Sequence, residues 1–168
     1  MKDYINTIMD IVRHESPRLL KQYLMQNPTW NLMEKGFNNY TSIMEAVSIE
    51  RLEMVVAICD YLKANHNMGK VIEHLNQISS DGKNVVLIAT CMNHQTEILE
   101  YLISNGANYS TKDNSNLGVN DYAILSPSES IENFWTNFDP KKYEKIIQHN
   151  IDANSTRQRA GSSRGLFM

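Results

Sequence analysis

Two cysteines in 168 residues are too few for a disulfide framework or a thiolate-rich metal site. Cys59 and Cys91 both stand in apolar helical context, which predicts buried thiols in a reducing compartment. The seven glycines are dispersed, with Gly161 and Gly165 near the C-terminus, so no loop is built to cradle a phosphate. Long apolar runs are also missing. Asp3, Asp10 and Arg13 interrupt the first sixteen residues, which argues against a secretory signal or a membrane span. A net charge of -3 supplies no field that would draw the chain to nucleic acid. The expectation is a cytoplasmic protein with no membrane partner, and with nucleic acid excluded except through its C-terminal segment.

Catalytic groups are equally sparse. His14, His66, His74, His94 and His149 fall in separate segments, and none is paired at a spacing that holds a metal on one helix face. Cys91 and His94 lie one helical turn apart, but a nucleophilic dyad needs an oriented base and an oxyanion site, and no third group is suggested. Glu97 and Glu100 belong to the solvated face of a helix. The chain therefore reads as a non-enzyme with no metal, no cofactor and no small-molecule substrate.

What is present is helical repetition. Between Thr41 and Cys59, Ile43, Ala46 and Val47 form one apolar stripe, and Leu52, Val55, Ile58 and Cys59 form a second. The polar break at Ser48–Arg51 folds one helix back on the other. Glu53 lies twelve positions after Thr41, and this offset recurs from Asn6, Val85 and Asn120. Ser16 and Pro17 supply a cap and first-turn proline in the first unit, and Asp139 and Pro140 do so for a helix after the fourth. Ser126, Pro127 and Glu129 predict a helix starting at Pro127. The long spacing between the second and third units leaves an insertion over 64–82, where Val71, Ile72, Leu75 and Ile78 predict a short helix from about Lys70 to Gln77. It reads as an exposed loop insertion or, alternatively, as a protrusion that meets a partner. From 151 to 168 the chain is polar and is expected to be flexible or partner-bound.

Thr41-Ser42-Ile43-Met44, then Ala46-Val47 and Leu52-Glu53-Met54-Val55, resemble the ankyrin repeat, with Ser42 in place of the proline, Met44 of the histidine and Glu50 of the inter-helix glycine. The run from Glu97 through Leu102 to the exit at Gly106-Ala107-Asn108 carries the resemblance furthest. The spacings of 35, 44 and 35 compare with a family period of about 33. The resemblance implies an all-α, ankyrin-like solenoid of stacked helix-turn-helix repeats over 1–150, with short loop connections and a C-terminal capping helix.

It also implies protein binding through a concave face lined by loop tips and first helices. Mapped onto this chain, the contact positions are Tyr40, Ser48, Ile49, Asn84, Met92 and Asn93, with Arg13 and His14 in the first unit. The tips near Met33–Lys35, Asp81 and Lys112–Asn116, including Asp113, complete that face. A different reading is a structural subunit of a large cytoskeletal or ciliary assembly. It would be anchored by the C-terminal segment, with Arg157, Arg159 and Arg164 on an acidic partner and Phe167 as an apolar anchor.

Overall fold

A computed structural model describes residues 3–93 and 96–164, with side chains from 4 to 161 apart from the gap. Its elements are all helical: α1 (Asp3–His14), α2 (Pro17–Gln26), α3 (Ser42–Ser48), α4 (Leu52–Asn65) and α5 (Met68–Leu75) come first. They are followed by α6 (Val85–Cys91), α7 (Thr96–Ser104), α8 (Val119–Leu125), α9 (Glu129–Thr136) and α10 (Pro140–Arg164). The first helices of the four hairpins, α1, α3, α6 and α8, pack side by side, each on the next. The second helices α2, α4, α7 and α9 form the other layer.

Local chemistry sets these boundaries. Ser16, Thr41, Asn67, Asn84 and Ser128 each accept a hydrogen bond from the N–H three residues on, satisfying a donor that the first turn leaves unpaired. Pro17 and Pro140 open α2 and α10 as expected. Helix α9 begins at Glu129 rather than Pro127, because Ser128 takes the cap while Ser126 accepts its backbone N–H at 2.9 Å. Small and apolar residues of the first helices fill the space between layers: Ile43, Ala46 and Val47, like Val85, Leu87 and Ala89, are fully buried.

Aromatic clusters close the two ends. Tyr4 stacks on Trp30 at 5.3 Å, beside Tyr23, at the N-terminal end. At the other end Phe138 gathers Tyr109, Trp135 and Tyr143 within about 5 Å. The Trp135 indole donates to Thr90 Oγ1 of α6 at 3.2 Å, which pins the last hairpin to the third.

Two expectations about the second layer change. The insertion is neither an exposed loop nor a protrusion: Met68, Val71, His74 and Leu75 of α5 are buried, and α5 packs against α4 and α10, with the exit after α7 resting on Ile72. Gly106 turns there at φ +94°, and a Cβ on it would sit 2.6 Å from Ile72 Cγ1. The Asn76 amide then bridges, donating to the Gly106 carbonyl at 3.0 Å and accepting the Asn108 N–H at 2.7 Å.

The segment after 150 is the second correction, since residues 151–164 continue α10 as helix. Apolar burial alone does not explain this, because only Ile151 of that segment is partly buried against the core. Side-chain amides one turn apart make the ties. Asn150 donates to the Ser104 carbonyl at 2.9 Å, Asn154 accepts the Met68 N–H at 3.0 Å, and Gln158 donates to the His66 carbonyl. Each satisfies a backbone group that a helix end leaves open. Helix α10 thus lies along the second-helix layer, against α7 and α5.

Candidate binding surface

Three tight turns lead into α3, α6 and α8, and they share one geometry. In Gly36–Tyr40, Ser79–Lys83 and Asp113–Leu117 the first N–H donates to the fifth carbonyl, at 2.9, 2.9 and 3.0 Å. The fourth N–H returns to the first carbonyl, at 3.0, 3.0 and 2.9 Å. The fourth residue takes the left-handed conformation each time, as Asn39, Gly82 and Asn116, residue types that tolerate it. The helix cap follows immediately at Thr41, Asn84 or Gly118. Equivalent unit starts are therefore Thr41, Asn84 and Gly118 rather than Thr41, Val85 and Asn120.

Neighbouring turns are tied into one edge. Lys35 Nζ donates to the Ile78 carbonyl at 2.6 Å, and Asn114 donates from its backbone to Asp81 and from its side chain to Ser80, both at 2.9 Å. A Cβ at Gly82 would meet the Asn114 backbone nitrogen at 2.8 Å, so the second and third turns sit too close for any other residue.

Along the first helices this register aligns Tyr40 with Lys83, Glu45 with Tyr122, Ser48 with Cys91 and Leu125, and Ile49 with Met92. Lys83 is central. Its ammonium is bound by Asp81, lies 3.8 Å from Asp113 Oδ2 and sits 5.7 Å from the Tyr122 ring centre. Burial works to lower its pKa, but the hydrogen bond and charge of Asp81 win and hold it above the ordinary lysine value. The Tyr122 hydroxyl donates to Asp113, which lowers the Asp113 pKa and raises that of Tyr122 to about 12. In the preceding unit Arg13 Nε meets Glu45 Oε1 at 2.6 Å, and Asn38 donates to the other carboxylate oxygen. The hydrogen bond to Glu45 raises the Arg13 pKa.

These charges are paired with one another and held by hydrogen bonds. Burial pushes the Cys91 thiol up to about 11 and Cys59 up to about 12, so neither is a thiolate nucleophile. His94, the other half of the considered dyad, lies outside the described residues. Among the described residues no group of three His, Cys, Asp or Glu side chains is placed to hold a metal ion.

Around this fixed floor stand apolar groups. Ile49 is 40% exposed and Met92 53%, at matching ends of α3 and α6, and Ile124 and Leu125 follow on α8 at 78% and 74%. Asn93, exposed beside Met92, accepts from the Ser126 hydroxyl and so links the ends of α6 and α8. On the turn edge Phe37 and Ile78 are exposed.

Of the predicted contact residues, Ile49, Met92, Asn93 and Lys112 are exposed, Tyr40 is half-buried, and Ser48 donates to the Glu45 carbonyl at 2.9 Å. Asn84 and Asp113 are corrections. Asn84 is fully buried, capping α6 and donating to the Asn108 carbonyl at 2.7 Å. Asp113 is buried, accepting the N–H groups of Ser115 and Leu117 and the Tyr122 hydroxyl, so it organises its turn rather than reaching solvent. Arg157 and Arg159 lie on α10, in the other layer, and do not join this surface. Arg164 ends α10, and its side chain, like Phe167, lies outside the described residues. Lys83, Glu45 and Tyr122 were missed; the available signal was that Lys83 precedes its cap as Tyr40 does.

Among the described residues no helix is long and apolar enough to cross a membrane. No curated protein matches the chain. The crystal structure of EF0377, an ankyrin repeat protein, matches at 16% identity over 80% of this chain and 98% of that one, with a TM-score of 0.35 that carries nothing across. The family model for ankyrin repeats, built of three copies, matches residues 8–113, from within α1 to the turn before α8. That span covers more than half of the sequence and contains the first two of the three turns, the two middle hairpins and the Gly106 exit described above. The chain belongs to the ankyrin repeat family.

Proposed function

We propose that this chain is a cytoplasmic, non-catalytic adaptor that holds a segment of a protein partner against the face formed by its turn edge and first helices. One observation carries the reading: Ile49, Met92, Ile124 and Leu125 make an exposed apolar row at the ends of successive first helices. The row borders a floor whose charges are already neutralised by one another. Apolar side chains beside half-buried Tyr40 and amide-bearing Asn93 give the mixture that carries affinity in protein interfaces. The compensated Lys83 and Arg13 add fixed hydrogen-bonding edges without a large field.

A photo-crosslinking side chain at Met92 tests this, compared with the same group at Met25, which is 66% exposed on α2. The reading requires a discrete product from Met92 alone, lost when Ile49→Lys is added. Equal labelling from both positions would sink it. The alternative of an assembly subunit anchored by its C-terminal segment would rest on Arg164 and Phe167, since α10 is tied to its own chain as far as residue 158.

A further inference from the structure

Where α10 crosses the second-helix layer it encloses a cleft of about 1090 Å³ against α2 and α4. Lys21, Lys63, His66, His149 and Arg157 line it, with Asp60 the one carboxylate among the lining residues. Asp60 is partly committed, 4.0 Å from Lys63 Nζ. Lys21 and Arg157 are exposed and have no ion-pair partner among the described residues. A chain with net charge -3 thus gathers cations from three separate helices into one cleft. At Lys21 and Asp60 the cleft runs into an apolar groove between α2 and α4, lined by Pro17, Leu52, Val56 and Ala57.

We propose that this cleft binds an acidic peptide segment of a protein partner, with an apolar side chain of that segment seated in the adjoining groove. Charge complementarity selects an anionic ligand, since the uncommitted Lys21 and Arg157 offer donors for carboxylates across the cleft. The adjoining groove selects peptide over nucleic acid. Single-stranded RNA is held by aromatic stacking platforms beside basic groups. No Phe, Tyr or Trp side chain lines either the cleft or the groove. The site is on the opposite layer from the apolar row and does not depend on it.

The test uses the full chain and a fluorescein-labelled oligoglutamate peptide carrying one leucine, read by anisotropy at low and physiological salt. The wild type is expected to bind, more weakly as salt rises. Lys21→Glu with Arg157→Glu should weaken binding by about tenfold or more, while reversal of Lys141 and Lys145, exposed on the early turns of α10, should leave it within about twofold. Lys21→Glu alone, on α2 and away from α10, guards against unravelling of the strap and should still cost severalfold. Replacing the peptide's leucine by serine should also cost severalfold. No binding by the wild type, equal loss in the two double variants, or tighter binding of oligouridylate in the same cleft would each overturn the proposal.

Discussion

The two layers of the molecule are built by different means. The first-helix layer repeats: three turns with the same hydrogen bonds, three left-handed residues at the same position and three caps two residues later. The second-helix layer repeats only in part. Between α4 and α7 it admits α5, and it is crossed by α10, whose final turns are held by single amide contacts with three different helix ends. Repetition spreads stability over equivalent interfaces, whereas the strap depends on a few bonds that each stand alone.

The largest expected difference is between neighbouring positions of α3. Ala46 is fully buried between hairpins, so Ala46→Glu forces an unpaired carboxylate into the core and should cost at least about 4 kcal/mol, enough to unfold the domain. Ser48, two residues on and half-buried at the exposed end of the helix, should tolerate glutamate within about 1 kcal/mol. Urea unfolding of the two variants measures this directly. Equal losses would mean that the first-helix layer lacks the inward and outward faces assigned to it.

Gly106 probes the junction between the layers' two styles. Alanine there must hold φ near +94° and place its Cβ 2.6 Å from Ile72 Cγ1, and the expected cost is about 2 to 3 kcal/mol. Shortening Ile72 to alanine in the same background removes the clash but not the backbone strain. The second substitution should then cost less in the Gly106→Ala protein than in the wild type, a coupling that a double-mutant cycle reads.

The strap should fail locally. Asn154→Ala removes the acceptor for the Met68 N–H and should cost about 1 kcal/mol. Amide exchange should quicken over 151–164 while the amides of α6 keep their protection. If α6 quickened equally, the two layers would open as one unit and the contrast between them would fall.

His74 adds a pH dependence confined to the second layer. Burial lowers its pKa below the ordinary value, against the raising effects of its bond to the Lys70 carbonyl at 2.8 Å and of Glu73, with Lys70 and His66 further disfavouring a second charge. A histidine whose folded pKa is depressed binds its proton more readily when unfolded. Its contribution is therefore complete above the unfolded value of about 6.5 and is lost as pH falls below it. Urea midpoints at pH 7.5 and 5.5 should differ in the wild type and converge in His74→Phe.

How much of this was legible in the sequence follows the same division. The cap at Ser16 and the prolines that open α2 and α10 are local chemistry, and each was placed from residue type alone, whereas the exit at Gly106 came with the family resemblance. Asn84 was misplaced onto the binding surface because the unit start was set one residue late, at Val85, which put Asn84 in the place of Tyr40. The turn register aligns it with Thr41 instead. The order of 151–164 was illegible for a deeper reason. Composition scores apolar area, whereas Asn150, Asn154 and Gln158 act through bonds to backbone groups 46, 86 and 92 residues away in sequence. Their spacing of four was visible, but its partners were not.

The smallest expected effect tests how far the first layer's repetition extends. Glu50 occupies the turn between α3 and α4 at φ +57°, as Asn93 does after α6 at +56°. The turn is closed by the Arg51 N–H donating to the Ala46 carbonyl at 2.9 Å, a bond that any residue at position 50 preserves provided it accepts the left-handed conformation. Glutamate there carries the Cβ strain that the family's glycine avoids. Glu50→Gly should therefore stabilise the domain, by up to about 1 kcal/mol after the greater entropy of the unfolded glycine is set against the relieved strain. Asn93→Gly should yield less, since asparagine adopts this conformation at lower cost. A gain at position 93 equal to or larger than that at position 50 would show that the two turns are strained alike, and that side-chain type does not govern the join between the layers.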